Sequence, residues 1–96
     1  MTIKEITEKT IPIAQKFGVN KVAVFGSTAR GEATVDSDVD FLIERGKLRG
    51  FAYGGFCMAL EEALGKSVDV VSYKQLETSF LKNYVLKDEV VIYERK

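Results

Sequence analysis

The chain has 96 residues, room for one compact domain spanning 1–96 and not two, and its 46 % hydrophobic content excludes a disordered chain. Fourteen basic residues balance fourteen acidic ones, so direct nucleic-acid binding by phosphate neutralisation, which leaves a basic excess, is not expected. With no histidine and a single cysteine, histidine acid–base catalysis, histidine-containing zinc sites and internal disulfides are excluded.

From the N-terminus, Thr2 followed by Glu5 fits a capping box. Ile3, Ile6, Ile13 and Phe17 then recur at roughly helical spacing, and Gly18 ends the helix. Pro12 removes one backbone hydrogen bond from that stretch, which predicts a kink or a restart near Thr10. The opening MTIKEITEK has no signal-peptide apolar segment, and no run in the chain reaches the ~20 apolar residues that span a bilayer. No membrane association is expected, and the expected location is cytoplasmic. Lys21 to Phe25 reads as a buried strand stopped by Gly26. Residues 26–37 read as loop, with a turn of helix around Ser27 to Arg30.

Asp38 to Glu44 is a second strand, and Arg45 to Gly50 a polar connection. Phe51 to Leu64 is a helix ended by Gly65. Gly54 and Gly55 inside it each cost about 1 kcal/mol relative to alanine, which close helix packing would explain. Cys57, in FCMAL, reads as a small buried apolar residue. Ser67 to Ser72 is a third strand, Tyr73 to Leu86 a helix and Glu89 to Tyr93 a fourth strand. Alternating strands and helices predict an α/β (α+β) domain: a mixed sheet of about four strands, with helices mainly on one side. Tyr53, Tyr73, Tyr84 and Tyr93 read as half-buried packing, with interface or self-modification roles as alternatives. A domain this small is marginal alone, and near-zero net charge favours association, so a partner subunit is expected.

The chemistry concentrates in GSTARGEATVDSDVD, residues 26–40. A phosphate-binding P-loop needs lysine where Glu32 stands. A calcium loop starting at Asp36 needs glycine and glutamate where Phe41 and Lys47 stand. What remains is a strand, a Gly-Ser turn, a loop and a strand opening Asp-x-Asp. Asp38 and Asp40 then share one face, with Cα atoms about 7 Å apart. Two unscreened charges at that distance repel by about 2.4 kcal/mol at an effective dielectric of ~20. Asp36 adds to this if the strand starts early, and Arg30 is the one nearby basic residue in sequence. Divalent cations relieve such repulsion, and Mg2+ is typically held by one or two carboxylates plus substrate phosphates. Gly26 permits a tight turn and close backbone approach, and Ser27 offers an N–H and a hydroxyl to phosphate oxygens.

The run F-G-S-x-A-R-G-x-x-x-x-x-S-D-x-D, Phe25 to Asp40, resembles the signature of the minimal nucleotidyltransferases of the DNA polymerase β-like superfamily. The resemblance implies a third acidic residue on a neighbouring strand, here Asp69, whose charge inside a valine-rich strand is costly unless paired or metal-bound. It implies transfer of AMP from ATP to a hydroxyl with release of pyrophosphate. Two Mg2+ ions, replaceable by Mn2+, would be held by Asp38, Asp40 and Asp69, the last also accepting the nucleophile's proton. Gly26 and Ser27 would grip the triphosphate. Arg30 would neutralise it, or instead form a surface salt bridge with Glu32 or Asp36. Minimal members pair with small helical HEPN-type RNase toxins, so the resemblance implies an antitoxin that adenylylates a tyrosine of that partner. Two alternatives stay open: an antitoxin that neutralises its partner by binding alone, and a nucleotidyltransferase with a small-molecule acceptor completed by a homodimer.

Overall fold

A computed structural model describes residues 1–95. The Thr2 hydroxyl accepts the Glu5 N–H at 3.1 Å while Glu5 accepts the Thr2 N–H, so the capping box forms. Helix α1 covers Ile3–Phe17 and ends on Gly18. The restart expected near Thr10 does not occur: one helix runs through Pro12. Pro12 and Glu8, whose carbonyl loses its amide partner, are both exposed, on the side of the helix where solvent can compensate a lost bond.

The remaining elements are β1 (Lys21–Phe25), α2 (Gly26–Ala29), β2 (Val39–Glu44), α3 (Phe51–Leu64), β3 (Val68–Ser72), α4 (Tyr73–Glu77), α5 (Lys82–Lys87) and β4 (Val90–Glu94). Strand boundaries match the sequence reading to within one residue. The last helix does not: Tyr73 to Leu86 splits into α4 and α5. Thr78 caps α4, and the Ser79 hydroxyl accepts the Leu81 N–H at 3.1 Å. Such short hydroxyl side chains compete with the helical ladder and open a turn.

The sheet runs β3-β2-β1-β4, with β1 antiparallel to β2 and β4 and β2 parallel to β3. It is the mixed four-strand sheet that the sequence predicts. The parallel pair exists because α3 carries the chain back across one face between β2 and β3. Val22, Val24, Phe41 and Ile43 face α1 and α3 and form the main core with Ile6, Ala14, Phe56 and Leu60. Phe17 meets Phe56 edge-to-face at 5.7 Å between centroids. Ala23 and Leu42 point the other way, toward Leu76 of α4 and Val85 and Leu86 of α5. The two long helices thus share one face, and two short ones partly cover the other. No described helix is long and apolar enough to cross a membrane.

Close packing accounts for neither helix glycine in full. A Cβ on Gly55 would sit 3.5 Å from Phe17, an ordinary contact, and one on Gly54 would meet nothing. Cys57 is half-buried rather than buried, and burial, reinforced by the Glu61 charge, pushes its thiol pKa up. Three tyrosines are half-buried as expected: Tyr53 donates to the Val70 carbonyl at 3.2 Å, Tyr73 to the Glu89 carboxylate, and Tyr93 packs against the core. Tyr84 is 68 % exposed.

Gly46 has a stricter role. It holds φ at 59°, and a Cβ there would lie 2.5 Å from the Gly18 carbonyl oxygen, which accepts the Lys47 N–H. Gly46→Ala is expected to lower stability by about 2 kcal/mol, combining left-handed strain with a backbone clash. Gly54→Ala, in an open helical position, is expected to raise it by about 0.8 kcal/mol. Thermal denaturation of the two variants beside the parent checks both signs.

Candidate active site

β1 delivers the chain to a sharp turn at Gly26 (φ 69°), from which α2 starts. β2 returns antiparallel, so Phe25 pairs with Asp40. β3 runs parallel to β2 with Asp40 opposite Asp69. Neighbouring strands lie ~4.8 Å apart and opposite residues share a face, so these two side chains stand abreast. Valines 68 and 70 face the α1–α3 core, which sends Asp69 to the opposite surface, the one that also carries Leu42 and Asp40. Asp38 precedes β2, and the Val39 N–H that follows it donates to the Ser67 carbonyl at 3.1 Å, tying this entry to the start of β3.

Asp40 is half-buried, whereas Asp36, Asp38 and Asp69 are exposed. Burial raises the Asp40 pKa, and repulsion from Asp69 and then Asp38 raises it further, against a smaller opposing pull from Arg30. The carboxylate lies directly against Gly26: any Cβ at that position would collide with Asp40 Oδ2. Close backbone approach at Gly26 is therefore a structural fact, and the approaching group is Asp40 itself.

Arg30 is otherwise engaged. Its guanidinium donates to Asp88 at 2.7 Å and to Glu32 at 3.1 Å, and these bonds raise its pKa. The ion pair with Glu32 is one the sequence suggested, but Asp88, not Asp36, is the second partner. Lys66 donates to the carbonyls of Thr34 and Val35 at 3.2 and 3.3 Å, bracing the loop ahead of Asp38.

Gly26, Ser27, Arg30 and Asp40 border one cavity of about 310 Å3, completed by Phe25, Tyr84, Val85 and Asp88. The last three lie on or beside α5, some fifty residues further along the chain, and no local pattern marks them. Asp69 opens instead onto an adjoining cavity that shares Phe25 and Val85. A larger concavity of about 720 Å3 lies between the end of α1 and Tyr93, at the opposite end of the sheet, far from these carboxylates. Among the described residues, no three His, Cys, Asp or Glu side chains are gathered closely enough to cage a metal by themselves. What the carboxylates offer is an anionic face with open oxygen donors, suited to hard cations that bring further oxygen ligands with them.

Comparison with known proteins agrees with this geometry. Residues 8–96 match the family described as polymerase beta, nucleotidyltransferase. The chain is 41 % identical over 91 residues to a protein of Methanocaldococcus jannaschii provisionally named a protein adenylyltransferase, covering 94 % of this chain and 97 % of that one. It is 34 % identical over 97 residues to the protein adenylyltransferase MntA of Thermococcus cleftensis, covering 96 % and 97 %. A solved structure described as a minimal nucleotidyltransferase superposes with a TM-score of 0.75 at 32 % identity, covering 94 % of this chain and 95 % of that one. A chain of a toxin–antitoxin crystal structure with AMP-PNP superposes with a TM-score of 0.72 at 20 % identity, covering 94 % of this chain and 74 % of that one, a likeness of fold. A glycine turn against an acidic strand pair, inside a sheet of this order and a match running nearly the whole chain, makes this protein a member of the polymerase β-type nucleotidyltransferase family.

Proposed function

We propose that this chain transfers AMP from ATP to a protein hydroxyl, a tyrosine of a small helical HEPN-type toxin, and so acts as its antitoxin. The observation that carries the reading is the pairing of Asp40 with Asp69 on one face, beside the cavity bordered by Gly26 and Ser27. The adenylyltransferase names of two relatives and the fold shared with a toxin–antitoxin structure support the same reading.

The site residues divide the work. Gly26 and Ser27 would take the β- and γ-phosphates, with Arg30 adding positive charge at the same cavity. Asp38 and Asp40 would hold two Mg2+ ions, or Mn2+, with Asp69 sharing one. The donor chemistry fits, because Asp40 is half-buried among like charges and Asp69 forms no ion pair within the described residues. Bound metal would offset charge on the attacking and leaving oxygens. In the transfer, the acceptor oxygen forms a bond to the α-phosphorus, the bond from that phosphorus to the α–β bridging oxygen breaks, and pyrophosphate leaves. The hydroxyl proton passes to Asp69. Such transfer needs placement and charge compensation more than covalent catalysis, so the lack of histidine is no obstacle.

A binding-only antitoxin draws on one observation, the engagement of Arg30 by Asp88 and Glu32. Incubation with radiolabelled ATP, Mg2+ and a small helical HEPN-type protein from the same genome separates the two readings. Label is expected on the partner, and Asp38→Ala/Asp40→Ala is expected to lower it at least about a hundredfold. Full protection of cells by that unlabelling variant would establish the binding role instead.

Asp40 also sets a pH dependence. Its pKa is raised in the fold, so its ionisation costs stability as pH rises above the ordinary carboxylate value near 4. Asp40→Asn cannot ionise. It is therefore expected to melt a few degrees higher than the parent at pH 7 without metal, and the gap should close as pH falls below about 4. Melting curves of both proteins across that range, in chelator, check the sign.

A further inference from the structure

The cavity beside Asp69 differs in chemistry from its neighbour. It measures about 380 Å3, at the small end for a ligand pocket, which suits a single side chain. Val71, Leu76 and Val85 line it, and Leu81, 46 % exposed, stands at its mouth, with Phe25 and Val85 shared with the cavity of Gly26 and Ser27. Asp69 is the one charged residue on its wall. Its two neutral polar residues are already partly committed: Gln75 accepts the Ser72 N–H at 3.0 Å, and the Ser79 hydroxyl accepts the Leu81 N–H at 3.1 Å. The Asp69 carboxylate makes no hydrogen bond or ion pair within the described residues, so it is an open acceptor at the edge of an apolar slot.

We propose that this slot, formed by Val71, Leu76, Leu81 and Val85 with Asp69 at its edge, is the acceptor subsite and takes the phenol ring of a tyrosine. This rests on the adenylyl-transfer reading and specifies where its second substrate sits. A nucleic-acid end would bring phosphates, and the slot has no lysine or arginine to meet them. A sugar would bring several hydroxyls to walls that offer few free partners. A phenol matches both halves: its ring buries against aliphatic side chains, and its single hydroxyl reaches the carboxylate. The wall shared through Phe25 and Val85 places that hydroxyl beside the cavity assigned to the triphosphate.

Amide NMR of the full chain tests the assignment without requiring turnover. N-acetyl-tyrosinamide at millimolar concentration is expected to shift the amides of Val71, Leu76, Ser79 and Leu81, while N-acetyl-serinamide leaves them in place. Mg2+ with AMP-PNP is expected to shift residues 26–30 and 38–40 and not to displace the tyrosinamide. Leu81→Trp, which fills the mouth without adding charge, should abolish the tyrosinamide shifts and keep those of AMP-PNP. Absence of tyrosinamide shifts in the parent, or their survival in Leu81→Trp, overturns the proposal. So does AMP-PNP competing for the same amides, which would make the slot a nucleobase site and leave adenylyl transfer standing. AMP-PNP shifting nothing at 26–40 would instead strike the transfer reading, while the tyrosinamide result still decides the slot.

Discussion

Two like charges held abreast, Asp40 on β2 and Asp69 on β3, are the constraint on which the site depends. Like charges directly opposite one another destabilise a ladder. Their placement is enforced by what lies between them in sequence. Val39, Phe41 and Ile43 on one strand, and Val68 and Val70 on the next, fill the core under α1 and α3. Because side chains alternate along a strand, burying that set sends the intervening residues to the other face. A slip of β3 by one residue against β2 would bury Asp69 and turn Val68 and Val70 away from the core, so the register is fixed by the hydrophobic core rather than by the acids. The folding energy of one face thus underwrites an electrostatically unfavourable arrangement on the other.

The same division of labour holds at the turns. Gly26 lacks a Cβ where Asp40 Oδ2 would otherwise be displaced, so one glycine sets both the chain reversal and the carboxylate position. At the opposite end of the sheet, Gly46 serves packing alone, letting the loop after β2 close on the carbonyl that ends α1. Both residues have positive φ, yet only the first touches an ionisable group. Conformational need alone would not tell them apart; their neighbours do.

Much of this was legible in the sequence, for identifiable physical reasons. A Thr2–Glu5 capping box, glycine caps at 18 and 65, and apolar alternation act locally, so α1, α3 and the strands could be placed within a residue. The strand period suggested a shared face for Asp38 and Asp40, but β2 begins at Val39 and Asp38 stands ahead of it, whereas Asp69 came through family likeness and found its explanation in the β2–β3 register. The helix from Tyr73 to Leu86 was misread because apolar spacing continues through Thr78 and Ser79, whose hydroxyls favour a turn. The pairing of Arg30 with Asp88 spans 58 positions, and Tyr84 reaches the cavity only through the placement of α5. Contacts of that range are products of the finished fold and leave no local pattern.

That finished fold is unequal on its two faces. The α1–α3 side holds the fully buried large side chains, among them Phe41, Phe56, Ile6 and Leu60. On the other side α4 buries Leu76, and α5 buries no residue completely. Elements with few buried apolar contacts open at lower free-energy cost than core elements. Both cavities use Val85 of α5 as a wall, so the less buried part of the domain borders them, while Asp40 and Asp69 stand on the sheet that the core anchors. Each arrangement serves a different need. Phosphoryl chemistry tolerates little error in the position of charge, which the strands supply. For the proposed transfer to a protein side chain, the acceptor would need a wall that can yield, and a six-residue helix with no buried residue is suited to that.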